Sequence, residues 1–140
     1  MRYLLDTNIF LYFATDVELL DKNVRSIMED AENNFYLSVE SLKELVQFFR
    51  RQKNKPKQWK TEMELLVSVE KDFGISILTL KKEHLHTYAK LQVNTSQDHK
   101  DPSDHIIISQ AITDKITLIS SDQKFAFYQK QHLKFIFNSK

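Results

Sequence analysis

Four acidic residues, Asp6, Glu44, Asp104 and Asp122, each stand where an apolar segment gives way to the start of a helix. If they meet, they form a pocket of carboxylate oxygens, and such a pocket has a narrow chemistry. Two carboxylates about 4 Å apart repel by about 4 kcal/mol at an effective dielectric of about 20. Four of them need a counter-charge. No basic residue adjoins Asp6 or Asp122 in the chain, and an all-oxygen set suits Mg²⁺ or Mn²⁺. One or two such ions would bind a scissile phosphate, lower the pKa of a bound water and stabilise the leaving oxygen.

Taken singly, the acids have a plainer reading, because Asp, Ser and Glu at helix starts satisfy free backbone N–H groups and complement the helix dipole. Ser41 and Glu44 match a capping box, and Asp101 at the N-cap, Pro102 at the first helical position and Asp104 at the third make an ordinary helix start. Sidedness argues for more at Asp104, which shares a helix face with Ile107, Ile108 and Ala111. Glu44 lies beside Leu45 and one turn before Phe48, at the border of its apolar stripe.

The elements that must position these acids follow from the apolar pattern. Short runs rich in branched and aromatic residues predict five strands, at Tyr3 to Leu5, Phe35 to Leu37, Ile75 to Leu78, Ile116 to Ile119 and Leu133 to Phe137, the last of them suited to an edge. Between them, Leu42, Leu45, Val46 and Phe49 recur at the spacing of one helix face, as do Trp59, Met63, Leu66 and Val67. Alternating strands and helices, with strands apolar on both faces, predict an α/β fold with a mostly parallel sheet covered on both sides. Such sheets bind ligands beyond the carboxyl ends of their strands. Asp6 directly follows the first strand, Asp122 follows the fourth through Ser120 and Ser121, and Glu44 lies early in the helix after the second. The helix from about Pro102 to Asp114 runs into the fourth strand, so its start, with Asp104, lies near that strand's far end. All four acids are expected to meet.

Length and composition fit one such domain. The chain has 140 residues, with 20 Lys and Arg against 19 Asp and Glu, so no global field draws it to nucleic acid or anionic lipid and any basic site must be local. Cysteine is absent, which excludes disulfides and thiolate chemistry and fits a reducing compartment such as the cytoplasm. No apolar run approaches the roughly 20 residues of a membrane span, and no small-residue cleavage pattern follows the N-terminus.

Four segments, YLLDTN at Tyr3 to Asn8, SVESLKEL at Ser38 to Leu45, HKDPSDHIIISQA at His99 to Ala111 and LISSD at Leu118 to Asp122, together resemble PIN domains, and most closely the VapC-type toxins of toxin–antitoxin pairs. The resemblance spans almost the whole chain. It implies a three-layer α/β/α fold over residues 1–140, Mg²⁺- or Mn²⁺-dependent endoribonuclease activity that leaves a 5′ phosphate and a 3′ hydroxyl, homodimerisation and a cognate antitoxin. It also implies that Asp6, Glu44, Asp104 and Asp122 hold the metal, with Thr7, Asn8, Asp101 and Ser120 as auxiliary polar residues.

The subgroup commonly has Phe before the third acid and Arg after it, whereas Ser103 and His105 flank Asp104 here. His105 is either a phosphate contact or, the reading preferred, a solvated polar residue. Lys124 is a phosphate contact or a surface lysine. Arg50, Arg51, Lys53, Lys55, Lys57 and Lys60 form a run of cations with no acid between them; it attracts RNA phosphates or is a solvated turn between helices. Trp59, Phe48, Phe49, Phe125 and Phe127 read as packing residues, in the core or at a dimer or antitoxin groove. Two rivals frame these expectations. A phosphatase of the haloacid dehalogenase type needs a second Asp two positions after the first, where this chain has Asn8. A degenerate PIN fold that binds RNA or protein without cutting would have no use for all four acids.

Overall fold

The computed structural model describes residues 1–140. Five strands, β1 (Arg2–Leu5), β2 (Asn34–Ser38), β3 (Ser76–Leu78), β4 (Thr117–Ser120) and β5 (Phe135–Phe137), form one sheet in the order β3-β2-β1-β4-β5. Every pairing is parallel, so the expected "mostly parallel" sheet is wholly so. β5 is an edge strand, as the sequence suggests. The helices are α1 (Thr7–Thr15), α2 (Lys22–Glu29), α3 (Val39–Arg51), α4 (Glu62–Lys71), α5 (Lys82–Lys90) and α6 (Pro102–Asp114), and a 3₁₀ segment spans Gln123–Gln131.

Alternation along β1 builds two cores. Tyr3 and Leu5 pack on one face with Ile9, Phe10, Val24, Leu45, Leu65 and Val69, drawn from α1 to α4. Leu4 faces the other way, into Ile107, Ile108, Ala111, Phe125 and Tyr128. The result is the three-layer α/β/α arrangement. Phe10 is 0 % exposed and meets Phe73 edge to face at 5.4 Å. Phe10→Ala is expected to cost about 3–5 kcal/mol, read as a lower urea midpoint with an unchanged slope.

β1 lies in the middle of the sheet. From it the chain builds outward to β2 and β3 on one side and later to β4 and β5 on the other, so its connections diverge beyond the carboxyl ends of β1 and β4. That divergence opens a crevice. Asp6 follows β1 at this edge and caps α1, its side chain accepting from the Thr7 N–H at 2.9 Å.

Three local expectations need correction. The cap of α3 is Ser38, whose Oγ accepts from the Glu40 N–H at 3.0 Å. Ser41 and Glu44 therefore form no capping box: Ser41 is buried inside the helix, and Glu44 is free for other contacts. Trp59 precedes α4 and is not on its stripe. Its ring is in the core, with Nε1 donating to Ser68 Oγ at 3.0 Å, while Met63 is 67 % exposed and Leu65, Ser68 and Val69 are the buried residues. Finally, His105 is buried, and its Nε2 donates to the His99 carbonyl at 2.9 Å, so it is neither solvated nor free to hold a phosphate. No helix is long and apolar enough to cross a membrane.

Candidate active site

The crevice holds the four acids together. Asp6, Glu44, Asp104 and Asp122 line one cleft of about 590 Å³ with Thr7, Asn8, Asp101, Arg51 and Gln123. Asp6 arrives from the end of β1, Glu44 from the second turn of α3, Asp104 from the first turn of α6 and Asp122 from the turn after β4. The start of α6 is built as expected: Asp101 is the cap, accepting from the Ser103 N–H at 3.0 Å, and Pro102 occupies the first turn. Single ligand oxygens of Glu44, Asp101 and Asp104 lie within 4.8 Å of one another.

Hydroxyl groups fix the acids in place. Ser120 Oγ donates to Asp6 Oδ2 at 2.7 Å and accepts from the Asp122 N–H at 3.0 Å, so one buried serine joins the first acid to the last. Thr7 Oγ1 donates to Glu44 Oε1 at 2.7 Å and lies 2.9 Å from Ser41 Oγ. Asp122 accepts from the Lys124 N–H at 2.9 Å. Thr7 and Ser120 thus sit in direct support of the acids, while Asn8 is exposed at the cleft wall.

This crowding leaves a charge problem that the fold does not solve by itself. Burial, and then the charge of Asp104, pushes the Asp6 carboxyl up to about 7. Burial, then Asp101, Glu44 and Asp122, pushes Asp104 up to about 7 as well. Glu44 is raised too, first by burial. No Lys or Arg forms an ion pair with any of the four.

The basic run disperses in the structure. Arg51 alone of its six cations lines the cleft, beside Tyr12 and Phe48. Arg50 pairs with Glu62 at 3.3 Å, and Lys55 donates to the Phe49 carbonyl and lies over its ring. Lys53, Lys57 and Lys60 are exposed outside the cleft lining. Lys124 also lies outside that lining, half-buried, with its charge opposing the rise at Asp104.

Sequence reasoning misses His99. It is 2 % exposed, its Nε2 is 3.0 Å from Asp104 Oδ2, and its Nδ1 is 2.9 Å from the Tyr128 hydroxyl. Only its place five residues before Asp104 could have drawn attention to it. Ser41, which reads as a cap in the sequence, is instead a partner of Thr7.

The family model described as PIN domain matches residues 3–131. The chain belongs to the PIN domain family. No curated protein matches this PIN domain. Among solved structures it is similar to VapBC-1 from nontypeable Haemophilus influenzae, at 17% identity over 100% of both chains with a TM-score of 0.72. It is also similar to VapBC2 from Rickettsia felis bound to a promoter DNA fragment, at 21% identity over 98% of each chain with a TM-score of 0.65. FitAcB from Neisseria gonorrhoeae is 22% identical, covering 97% of this chain and 96% of its own, with a TM-score of 0.66. Identities this low establish a shared fold.

Proposed function

We propose that this PIN domain is a Mg²⁺- or Mn²⁺-dependent endoribonuclease, the toxin of a toxin–antitoxin pair, acting in the cytoplasm as a homodimer of one-domain chains. The observation that carries the reading is the convergence of Asp6, Glu44, Asp104 and Asp122 on one cleft, with no lysine or arginine paired to them. A set of carboxylate oxygens in which burial, and then neighbouring acids, push up Asp6, Glu44 and Asp104 suits a hard divalent cation. Asp6, Asp104 and Asp122 would hold it, with Glu44 joining directly or through water and Asp101 as an outer acid. When bound, the ion supplies Lewis acidity to a phosphodiester and to the water that attacks it.

The chain's own part is to hold these oxygens and to admit the strand. Ser120 fixes Asp6 relative to Asp122, and Thr7 fixes Glu44. Arg51 at the rim offers a fork of donors to a phosphate, and Tyr12 and Phe48 beside it offer rings to a base. Attack by water in line with the departing 3′ oxygen leaves a 5′ phosphate and a 3′ hydroxyl, and needs no side-chain nucleophile. The similarity to VapBC structures, one of them VapBC-5 from Mycobacterium tuberculosis, a member of the VapBC family of toxin-antitoxin systems, supports a toxin with an antitoxin partner; RNA as the substrate rests on the resemblance of the motifs.

Metal removal tests the reading. Cleavage of RNA is expected to fall by at least about a thousandfold, or about 4 kcal/mol, in excess EDTA and to return with added Mg²⁺ or Mn²⁺. Cleavage that persists at full rate in EDTA rejects the metal assignment. Absence of both cleavage and Mn²⁺ binding in calorimetry makes the chain a degenerate binding module instead.

A further inference from the structure

We propose that His99 is a positioning residue that holds Asp104 through a directional N–H bond, so that one carboxylate oxygen is tied back and the other is presented to the cleft. The inference rests on the metal reading above for its consequence, and on hydrogen-bond accounting for its geometry.

Tyr128 is fully buried, and its hydroxyl has two neighbours, the Asn94 N–H at 3.1 Å and His99 Nδ1 at 2.9 Å. The Asn94 N–H can only donate. The phenol proton therefore goes to Nδ1, which must be a bare acceptor nitrogen. The imidazole then carries its proton on Nε2, and Nε2–H donates to Asp104 Oδ2 at 3.0 Å. Every polar atom along the path from the Asn94 N–H through Tyr128 and His99 to Asp104 Oδ2 is satisfied by this one assignment. The alternative makes His99 a metal ligand, since its nitrogen lies within 4.8 Å of oxygens of both Asp104 and Asp122. Ligation through Nε2 would put the proton on Nδ1 and leave the buried phenol with two donors facing it and no acceptor, at a cost of about 1–3 kcal/mol.

Packing makes the assignment rigid. The His99 ring lies 4.8 Å from the His105 ring, 5.3 Å from Phe125 and 5.5 Å from Tyr128. His105 Nε2 holds the His99 carbonyl, and the His99 N–H donates to the Asn94 carbonyl at 3.0 Å. The presence of His rather than the subgroup's usual Arg at 105 thus serves the loop that carries His99. Partners that orient a metal-binding carboxylate or imidazole typically change metal affinity about 10- to 100-fold when removed.

Two isosteres separate positioning from bulk packing. His99→Gln places an amide N–H where Nε2 stood, and His99→Asn reaches only as far as Nδ1. Mn²⁺ affinity by calorimetry, and RNA cleavage, are expected to fall about 10- to 100-fold in His99→Asn and to be restored in His99→Gln to within about threefold of the natural protein. Nitrogen-15 spectra of the natural protein, with and without Mg²⁺, are expected to show His99 protonated on Nε2 in both, which needs no variant to fold. A Nδ1-protonated ring, nitrogen coupling to bound Mn²⁺, His99→Asn that binds as tightly as the natural protein, or His99→Gln no better than His99→Asn each overturns the proposal. A natural protein that fails to bind Mn²⁺ at all overturns the metal reading, and with it the consequence drawn here, whichever tautomer the spectra show.

Discussion

Asp6→Asn is expected to act in two opposite directions, cutting RNA cleavage by at least about a thousandfold, or about 4 kcal/mol of transition-state stabilisation, while stabilising the metal-free protein. The isostere keeps the local structure. Asn is as good an N-cap as Asp, its oxygen can still accept from the Thr7 N–H, and its amide can meet Ser120 Oγ. What disappears is a carboxylate that burial and Asp104 both penalise. Above about pH 7 the natural carboxyl is ionised in the fold, so removing it relieves repulsion in a site without its cation. The melting temperature in EDTA at about pH 8 is expected to rise by about 2–6 °C, the response to about 1–2 kcal/mol in a domain of this size. An Asp6→Asn variant that melts lower and still cuts RNA would reject both halves of the argument.

Metal affinity is expected to fall steeply on acidification through neutrality, an unusual range for carboxylates. Asp6 and Asp104 are both pushed up to about 7, whereas ordinary carboxyls release their protons near about 4. A proton must leave each before it can hold a cation, and each such proton costs about tenfold in apparent affinity per pH unit below its pKa. Mn²⁺ affinity is thus expected to drop at least about tenfold between about pH 7.5 and about pH 6. Calorimetry at several pH values checks it, and a flat profile would refute the crowding described. The same shifts fix the sign for the metal-free fold. With folded pKa values above the unfolded ones, these carboxyls favour the fold below about pH 4, and that contribution is lost as pH rises through about 7. The free protein should therefore soften toward neutral pH, and the bound cation should remove the trend.

Much of this site is legible in the chain because strand ends, helix starts and acids obey strong local rules. The runs around Leu4, Leu37 and Leu118 mark buried parallel strands, and Asp6 and Asp122 lie just beyond two of them. Placing Asp104 needs only the direction of one helix. Two features are less accessible. The Ser41–Glu44 capping box is a true local pattern overridden by an earlier cap, since Ser38 at the end of β2 starts the helix three residues sooner. His99 and Tyr128 are 29 residues apart, and Asp104 joins them only through the tertiary fold. Nothing in their spacing signals a partnership. The basic run misleads in a different way. Six cations in sequence look like one patch, yet the break between α3 and α4 turns them in different directions, and only Arg51 reaches the cleft.

The bond from Ser120 to Asp6 spans 114 residues of chain. A ribosome making this protein adds Asp122 only 116 residues after Asp6. Until β4 emerges, β1 lacks one of its two neighbours in the sheet and the carboxylate pocket has no far wall. Closing so long a loop is also the slow kind of folding step. The pocket therefore stays incomplete throughout the synthesis of the residues between β1 and β4, and a truncated copy ending before β4 would carry three of the four acids without assembling them.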